Sequence, residues 1–172
     1  MGSDERVAIV IEHMRLENEH DFPACIATFG RPRYHVVASA ETHDGAAGVA
    51  AFLQENKKAF PDFRFEPSRV TPTADGAVLV LGVFSGTHLG TWRGLPATGR
   101  AVSFEMAVVF EFDGDAMTGE RLYFDLGTPL RQLGVARDPT STAGRMATVA
   151  NHPVTVARAL VRSFRHRRTL ES

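Results

Sequence analysis

The chain has 172 residues and a mass of 18.8 kDa, with 44% hydrophobic and 23% charged residues. That length suits one domain with a single core and leaves room for an appendage. The apolar runs are too short to span a bilayer and the N-terminus lacks a signal-peptide pattern, so we expect a cytoplasmic protein without membrane insertion. A net charge of −1 gives no global reason to bind nucleic acid, and the single cysteine, Cys25, excludes an internal disulfide and a multi-cysteine metal site.

The first part of the chain predicts three helices and one short strand. Ser3-Asp4-Glu5 places a capping residue and two carboxylates at a helix start, where the helix dipole favours them. Asp21 can cap a second, short helix, and Arg33–Ala38 reads as a strand. A third helix follows Asp44 and ends before Pro61.

After the third helix the apolar period changes to two, which indicates strands. Phe63 and Phe65 alternate with charged residues, and Asp75-Gly76 is a hairpin signal. Three strands follow, over Ala77–Leu89, Arg100–Phe112 and Ala116–Leu126. Strands joined by successive hairpins imply an antiparallel sheet, and helices segregated from such a sheet imply an α+β fold.

The C-terminal part of the chain is basic and differs in composition from the part before it. Residues 1–135 are predicted to form the domain, and residues 136–172 a linker followed by a basic helix. The linker is predicted over Val135–Ala150, and the helix over Pro153–Arg168, with Leu160, Val161 and Phe164 on its apolar side. From Arg131 onward the chain carries eight arginines against two carboxylates. This excess could dock an acidic partner or a membrane surface, or form the solvated face of the helix.

The final predicted strand holds a row of polar residues. Side chains alternate along a strand, so Arg121, Tyr123 and Asp125 share one face. If that face lines a pocket, a carboxylate there loses solvation, its pKa rises, and it can exchange protons near neutral pH. The other possibility is a surface ion pair between Arg121 and Asp125.

Further candidates lie on the two preceding strands and the loop between them. His88 ends a strand face that also holds Phe84, and it is either a pocket residue or a structural histidine. Trp92 follows in the loop and either flanks a pocket or packs in the core. Glu105 lies on the polar face of Arg100–Phe112. No pair of histidines has the spacing of a helical metal site, so no metal site is predicted.

Four short motifs in order resemble the SnoaL-like polyketide cyclases of the nuclear transport factor 2-like superfamily. They are Phe60-Pro61-Asp62-Phe63, Gly86-Thr87-His88-Leu89-Gly90, Gly94-Leu95-Pro96-Ala97-Thr98-Gly99-Arg100, and Asp125 followed by Leu130-Arg131-Gln132-Leu133-Gly134. Their order and spacing match over roughly residues 5 to 135. Each motif is weak by itself, but together they are specific for the family.

The resemblance implies a cone-shaped α+β barrel, in which a curved antiparallel sheet wraps around the N-terminal helices and encloses an apolar cavity. It implies a homodimer and an intramolecular aldol ring closure without metal or cofactor. The acid–base residue of characterised members matches Asp125, and His88 matches a second motif position, so these two are the predicted catalytic residues. Arg121, Tyr123, Glu105, Trp92 and Phe84 are the predicted substrate-binding residues, for a small apolar or aromatic metabolite.

Two other functions fit the same features. An epoxide hydrolase or isomerase would use Arg121 and Asp125 with Glu105 as a second carboxylate. A non-catalytic dimeric domain would bind a small molecule in the cavity and need no raised carboxyl pKa.

Overall fold

The computed structural model describes the backbone of residues 2–170 and the side chains of residues 2–159 and 161–163. The chain divides into two compact units, Met1–Leu133 and Gly134–Ser172.

The first unit combines four helices with one six-stranded sheet. The helices are α1 (Ser3–Asn18), α2 (Phe22–Ala27), α3 (Gly45–Ala59) and α4 (Gly127–Gln132). The strands are β1 (Arg33–Val36), β2 (Glu41–Asp44), β3 (Arg64–Pro72), β4 (Val78–Thr87), β5 (Ala101–Asp113) and β6 (Ala116–Tyr123). Their order in the sheet is β2-β1-β6-β5-β4-β3, and the predicted α+β class is confirmed.

The sheet departs from the predicted antiparallel arrangement at one place. Strand β1 pairs parallel to β6, with His35 opposite Arg121, while the other neighbours are antiparallel. Strand β2 was missed because it has four residues and is reached from β1 through a 3-10 turn at Val37–Ser39 and a left-handed Ala40. Within residues 2–133 the sheet does not close, since β2 and β3 remain its edges.

The core lies between the inner face of the sheet and helices α1 and α3. Val10 and Met14 of α1 and Leu53 of α3 are buried there. Alternate residues of the long strands face them, as the period of two requires, and these include Val78, Val80, Met106, Val108 and Phe110. Strand β6 ends at Tyr123, three residues earlier than predicted, so Asp125 lies beyond the strand.

The second unit consists of helices α5 (Thr142–Asn151) and α6 (Pro153–Leu170). The predicted linker is wrong over residues 142–150, which belong to α5; the Ser141 hydroxyl caps this helix by accepting the N–H of Gly144 at 3.0 Å. The predicted terminal helix is confirmed, and Val161 on it is half exposed.

Several predicted features of α6 fall outside the described side chains. They are the apolar residues Leu160 and Phe164 and the basic residues Arg165, Arg167 and Arg168. Among the described residues, no helix has both the length and the apolar character that a membrane span requires.

Candidate functional site

An apolar cavity of about 80 Å³ opens between the inner face of the sheet and helices α1 and α3. Its wall is largely aromatic. The rings of Phe63, Phe84, Phe104 and Phe124 follow one another with centroids 5.8, 5.1 and 5.2 Å apart, so they form one continuous surface. Such a surface suits the flat faces of an aromatic or conjugated ligand.

Trp92 covers part of this cavity from the loop between β4 and β5. Its indole is 8% exposed and meets the Phe60 ring edge-on at 5.5 Å. The neighbouring Arg93 places its guanidinium over the indole at 5.6 Å and pairs with both carboxylate oxygens of Glu41 on β2. Phe84 and Trp92, both predicted as substrate-binding residues, therefore line the cavity.

Two carboxylates lie among the apolar side chains of the lining, Glu17 from α1 and Glu120 from β6. Both face the imidazole of His13, which is fully buried. Its Nε2 atom lies 3.7 Å from Glu17 Oε2, 3.8 Å from Glu120 Oε1 and 3.1 Å from the Tyr34 hydroxyl. With the adjoining polar residues they form what we call the His13 cluster: His13, Glu17, Cys25, Thr28, Tyr34 and Glu120.

Hydrogen bonds assign the protonated nitrogen of His13. The Thr28 hydroxyl donates its one proton to the carbonyl of Cys25 at 2.7 Å, so it must accept from His13 Nδ1, which lies 2.8 Å away. Nδ1 therefore carries a hydrogen. The Nε2 atom, which faces Tyr34 and the two carboxylates, is left to accept or donate according to the charge of the ring.

Burial and mutual repulsion set the charges in the cluster. Burial first, and then the nearby Glu120 carboxylate, raise the pKa of Glu17 to about 7, against the smaller effects of His13 and Tyr34. Burial would lower the pKa of His13, but Glu120 and then Glu17 raise it above its ordinary value. The Glu17 side chain keeps 24% exposure and lines the cavity, so a carboxyl with a raised pKa is open to a ligand there.

The cluster does not suit a metal ion, although atoms of His13, Glu17 and Cys25 lie within 4.8 Å of one another. The Cys25 Sγ atom is 3.6 Å from both ring nitrogens of His13. A sulfur equidistant from the two nitrogens lies well off the lone-pair direction of each, and Nδ1 already donates to Thr28. One ion therefore cannot take both the imidazole and the thiolate in this arrangement.

Asp125 lies outside the cavity, so the prediction that it faces the interior is wrong. Its side chain is 63% exposed and caps the start of α4, where its carboxylate accepts the N–H of Gly127 at 2.9 Å. It also accepts the Thr128 hydroxyl at 2.7 Å and Arg131 at 2.8 Å. These two contacts, Thr128 first, lower the pKa of Asp125 to about 2. The free N–H groups of a helix start attract a nearby carboxylate, which explains this orientation.

The polar row on β6 points away from the cavity, because Leu122 and Phe124 occupy the inner face. Arg121 pairs with Glu111 at 2.8 Å instead of Asp125, and Tyr123 is 40% exposed.

Glu105 is exposed as well, on a shallow outer groove. The Arg121, Asp125 and Glu105 arrangement of an epoxide hydrolase is therefore not assembled in the cavity.

His88 is fully buried but lies behind Phe60, whose ring stacks on the imidazole at 5.1 Å. Its Nδ1 accepts the N–H of Thr98 at 3.2 Å, and burial lowers its pKa. Its backbone bonds Arg100 and Gly99 across the base of the loop. The structure thus places His88 where it holds the Trp92 loop, outside the cavity lining.

The sequence does contain signals for the residues that line the cavity. His13 and Glu17 lie three and seven residues after Val10, on the apolar stripe of α1. Glu120 shares the apolar face of β6 with Leu122 and Phe124. A charged side chain on a face that otherwise packs inward is the sequence signal for these residues, whereas the polar row on β6 lies on the outer face.

The first unit is similar in fold to several solved structures. AclR from Streptomyces galilaeus, a proposed hydroxylase, is 20% identical with a TM-score of 0.67, covering 79% of this chain and 100% of its own. A proposed polyketide cyclase from Xanthomonas campestris pv. campestris is 20% identical with a TM-score of 0.68, covering 77% and 99%. A protein of ketosteroid isomerase-like fold from Catenulispora acidiphila, bound to trimethylamine, is 17% identical with a TM-score of 0.63, covering 74% and 92%.

No curated protein matches the chain. The family described as SnoaL-like polyketide cyclase matches residues 10–133, which is most of the sequence and nearly all of the first unit. The chain belongs to the SnoaL-like polyketide cyclase family.

Proposed function

We propose that this protein is an acid–base enzyme that closes a ring by an intramolecular aldol reaction in a small aromatic or ester substrate. The observation that carries the proposal is Glu17, a carboxyl with a pKa of about 7 that opens into an aromatic-lined cavity. A group with that pKa can take up and return a proton near neutral pH without a cofactor. Family membership supports the class of substrate.

The proposed reaction uses one carboxyl twice. The Glu17 carboxylate removes a proton from a carbon between two carbonyl groups, and the enolate charge spreads over the conjugated substrate. The aromatic wall holds the substrate folded, so the carbanion lies near its own ketone carbonyl and attacks it. The protonated Glu17 then gives its proton to the new alkoxide, which restores the carboxylate.

Binding and chemistry can be tested separately. Trp92 is the sole tryptophan and lines the cavity, so its fluorescence reports a bound aromatic molecule directly. The methyl ester of an aryl 3-oxo acid is a suitable probe, because its activated carbon exchanges hydrogen for deuterium when it is enolised. We expect saturable quenching of Trp92 by the probe and protein-catalysed exchange in D₂O, followed by NMR.

The decisive comparison is between two carboxylates. Glu17→Gln should remove the catalysed exchange while retaining probe binding, whereas Asp125→Asn should retain both. Quenching without exchange in the native protein would instead indicate a non-catalytic binding domain. If Asp125→Asn loses the catalysed exchange and Glu17→Gln keeps it, Asp125 is the catalytic residue and this proposal is wrong.

A further inference from the structure

The Tyr34 hydroxyl lies between His13 and Glu17 and can hydrogen-bond to either. The functional meaning of this contact rests on the proposed role of Glu17. The hydroxyl lies 3.1 Å from His13 Nε2 and 3.4 Å from Glu17 Oε2. It has one proton, so it can donate to only one of the two at a time. When His13 is an imidazolium, Nε2–H donates to the Tyr34 oxygen and the tyrosine proton turns to the Glu17 carboxylate. When His13 is neutral, Nε2 takes that proton and Glu17 loses its donor.

Glu120 acts on Glu17 in the opposite sense. Its side chain is 4% exposed, and its Oε1 atom is buried without a hydrogen-bond partner among the described residues. A buried carboxylate close to a second carboxyl disfavours a second negative charge there. Because Glu17 and Glu120 both line the cavity, this repulsion acts where the substrate binds.

We propose that Tyr34, His13 and Glu120 are opposed positioning residues for Glu17: the His13–Tyr34 pair stabilises its carboxylate, and Glu120 stabilises its protonated form. Thr28 contributes by fixing the Nδ1–H of His13, which keeps Nε2 directed at Tyr34. The balance lets one carboxyl serve first as a base and then as an acid. Without the His13–Tyr34 pair or without Glu120, Glu17 should be able to perform only one of the two steps, proton removal or proton return.

The titratable groups of the cluster around Glu17 come from four elements. They are His13 on α1, Cys25 on α2, Tyr34 on β1 and Glu120 on β6. Burial raises the pKa of the Cys25 thiol, so it is neutral over the relevant range. The repulsion from Glu120 affects Glu17 more strongly than the attraction of His13, so loss of the Glu120 charge should dominate even if His13 then becomes neutral.

The test measures the titration midpoint of the Glu17 carboxyl in the full-length protein by ¹³C NMR, together with the pH profile of deuterium exchange into the aryl 3-oxo ester. Tyr34→Phe should move both midpoints upward and Glu120→Gln should move both downward, with the larger shift in Glu120→Gln. Thr28→Val should produce a smaller upward shift. If Tyr34 and Glu120 had only a structural role, their variants would change the stability of the protein or the amount of exchange. They would not shift the two midpoints in opposite directions.

Matched controls lie on the outer face of the same sheet. Tyr123→Phe and Glu105→Gln make the same chemical changes there and should leave both midpoints unmoved. If Tyr34→Phe and Glu120→Gln shift Glu17 in the same direction, or do not shift it, the inference is wrong even where Glu17→Gln abolishes exchange. If Glu17→Gln exchanges normally, the proposed function fails, while the NMR midpoints still test the opposed groups. Should Tyr34→Phe not fold, Thr28→Val and Glu120→Gln still give the two opposite directions.

Discussion

Two carboxylates of this protein occupy opposite environments, and their ionisation differs accordingly. Glu17 lies among apolar side chains next to another carboxylate, and its pKa rises to about 7. Asp125 lies in water and accepts a hydroxyl, an amide and a guanidinium, and its pKa falls to about 2. Residue type alone could not separate them, because desolvation and hydrogen bonding set the direction of each shift.

The raised pKa of Glu17 predicts how stability depends on pH. The folded chain binds this proton more tightly than the unfolded chain, whose pKa is near the ordinary 4.5. The stabilisation is therefore complete below pH 4.5 and is lost as the pH rises through 7. The whole effect is on the order of 3 kcal/mol at most. Urea unfolding between pH 4.5 and 8 should show stability falling with pH in the native chain, and a shallower fall in Glu17→Gln.

Asp125 predicts the reverse dependence. Its pKa is lowered on folding, so its stabilisation is present above the ordinary value of 3.8 and is lost as the pH falls toward 2. Asp125→Asn should lower the urea midpoint at pH 7, because it removes the negative charge that pairs with Arg131 at the start of α4, and the difference from the native chain should shrink in acid. Equal midpoints at pH 7 would contradict a stabilising role for this charge.

Strand β6 shows what element-level reasoning could and could not predict. The period of two correctly separated Arg121 and Tyr123 from Leu122 and Phe124, but it does not say which set faces the core. The strand end was placed three residues too late, which assigned Asp125 to a strand face although it lies in the turn before α4. Such errors arise because the local sequence pattern determines only the alternation of side chains along the strand. Which set of side chains faces inward depends on helices α1 and α3, which are distant in sequence and pack against the sheet.

The Trp92 loop predicts a kinetic effect at the element scale. It reverses at Arg93 and Gly94, which both have positive φ, and the Arg93–Glu41 pair holds it against β2. Partly exposed ion pairs of this kind contribute up to about 1 kcal/mol, too little to control folding but enough to alter the opening of a loop. Glu41→Gln should accelerate probe dissociation several-fold, measured by stopped-flow Trp92 fluorescence, with little change in the unfolding midpoint. Asp44→Asn breaks a more exposed pair on the same strand and should leave the rate unchanged.

The whole molecule consists of a family domain and a further helical unit. The family match ends at residue 133, where the first compact unit also ends. The sequence of residues 142–151 shows no clear helical periodicity, because the segment mixes Ala, Thr and Arg. In the structure its apolar residues Met146 and Val149 are exposed. Capping by Ser141 gives a local reason for a helix that periodicity missed.

The outer face of the sheet predicts how whole molecules associate. Leu81, Ala107 and Tyr123 are register neighbours across β4, β5 and β6, and Leu81 and Tyr123 are exposed by 38% and 40%. An apolar row on one sheet face can meet its own copy across a two-fold axis, because an isologous interface needs only a self-complementary patch. The family resemblance implies a homodimer, and we expect this face to form its interface. Leu81→Arg should place like charges opposite each other and yield a monomer in sedimentation equilibrium, whereas Ile11→Arg, at an exposed position on α1, should leave the mass unchanged. A native chain that sediments as a monomer would exclude this interface.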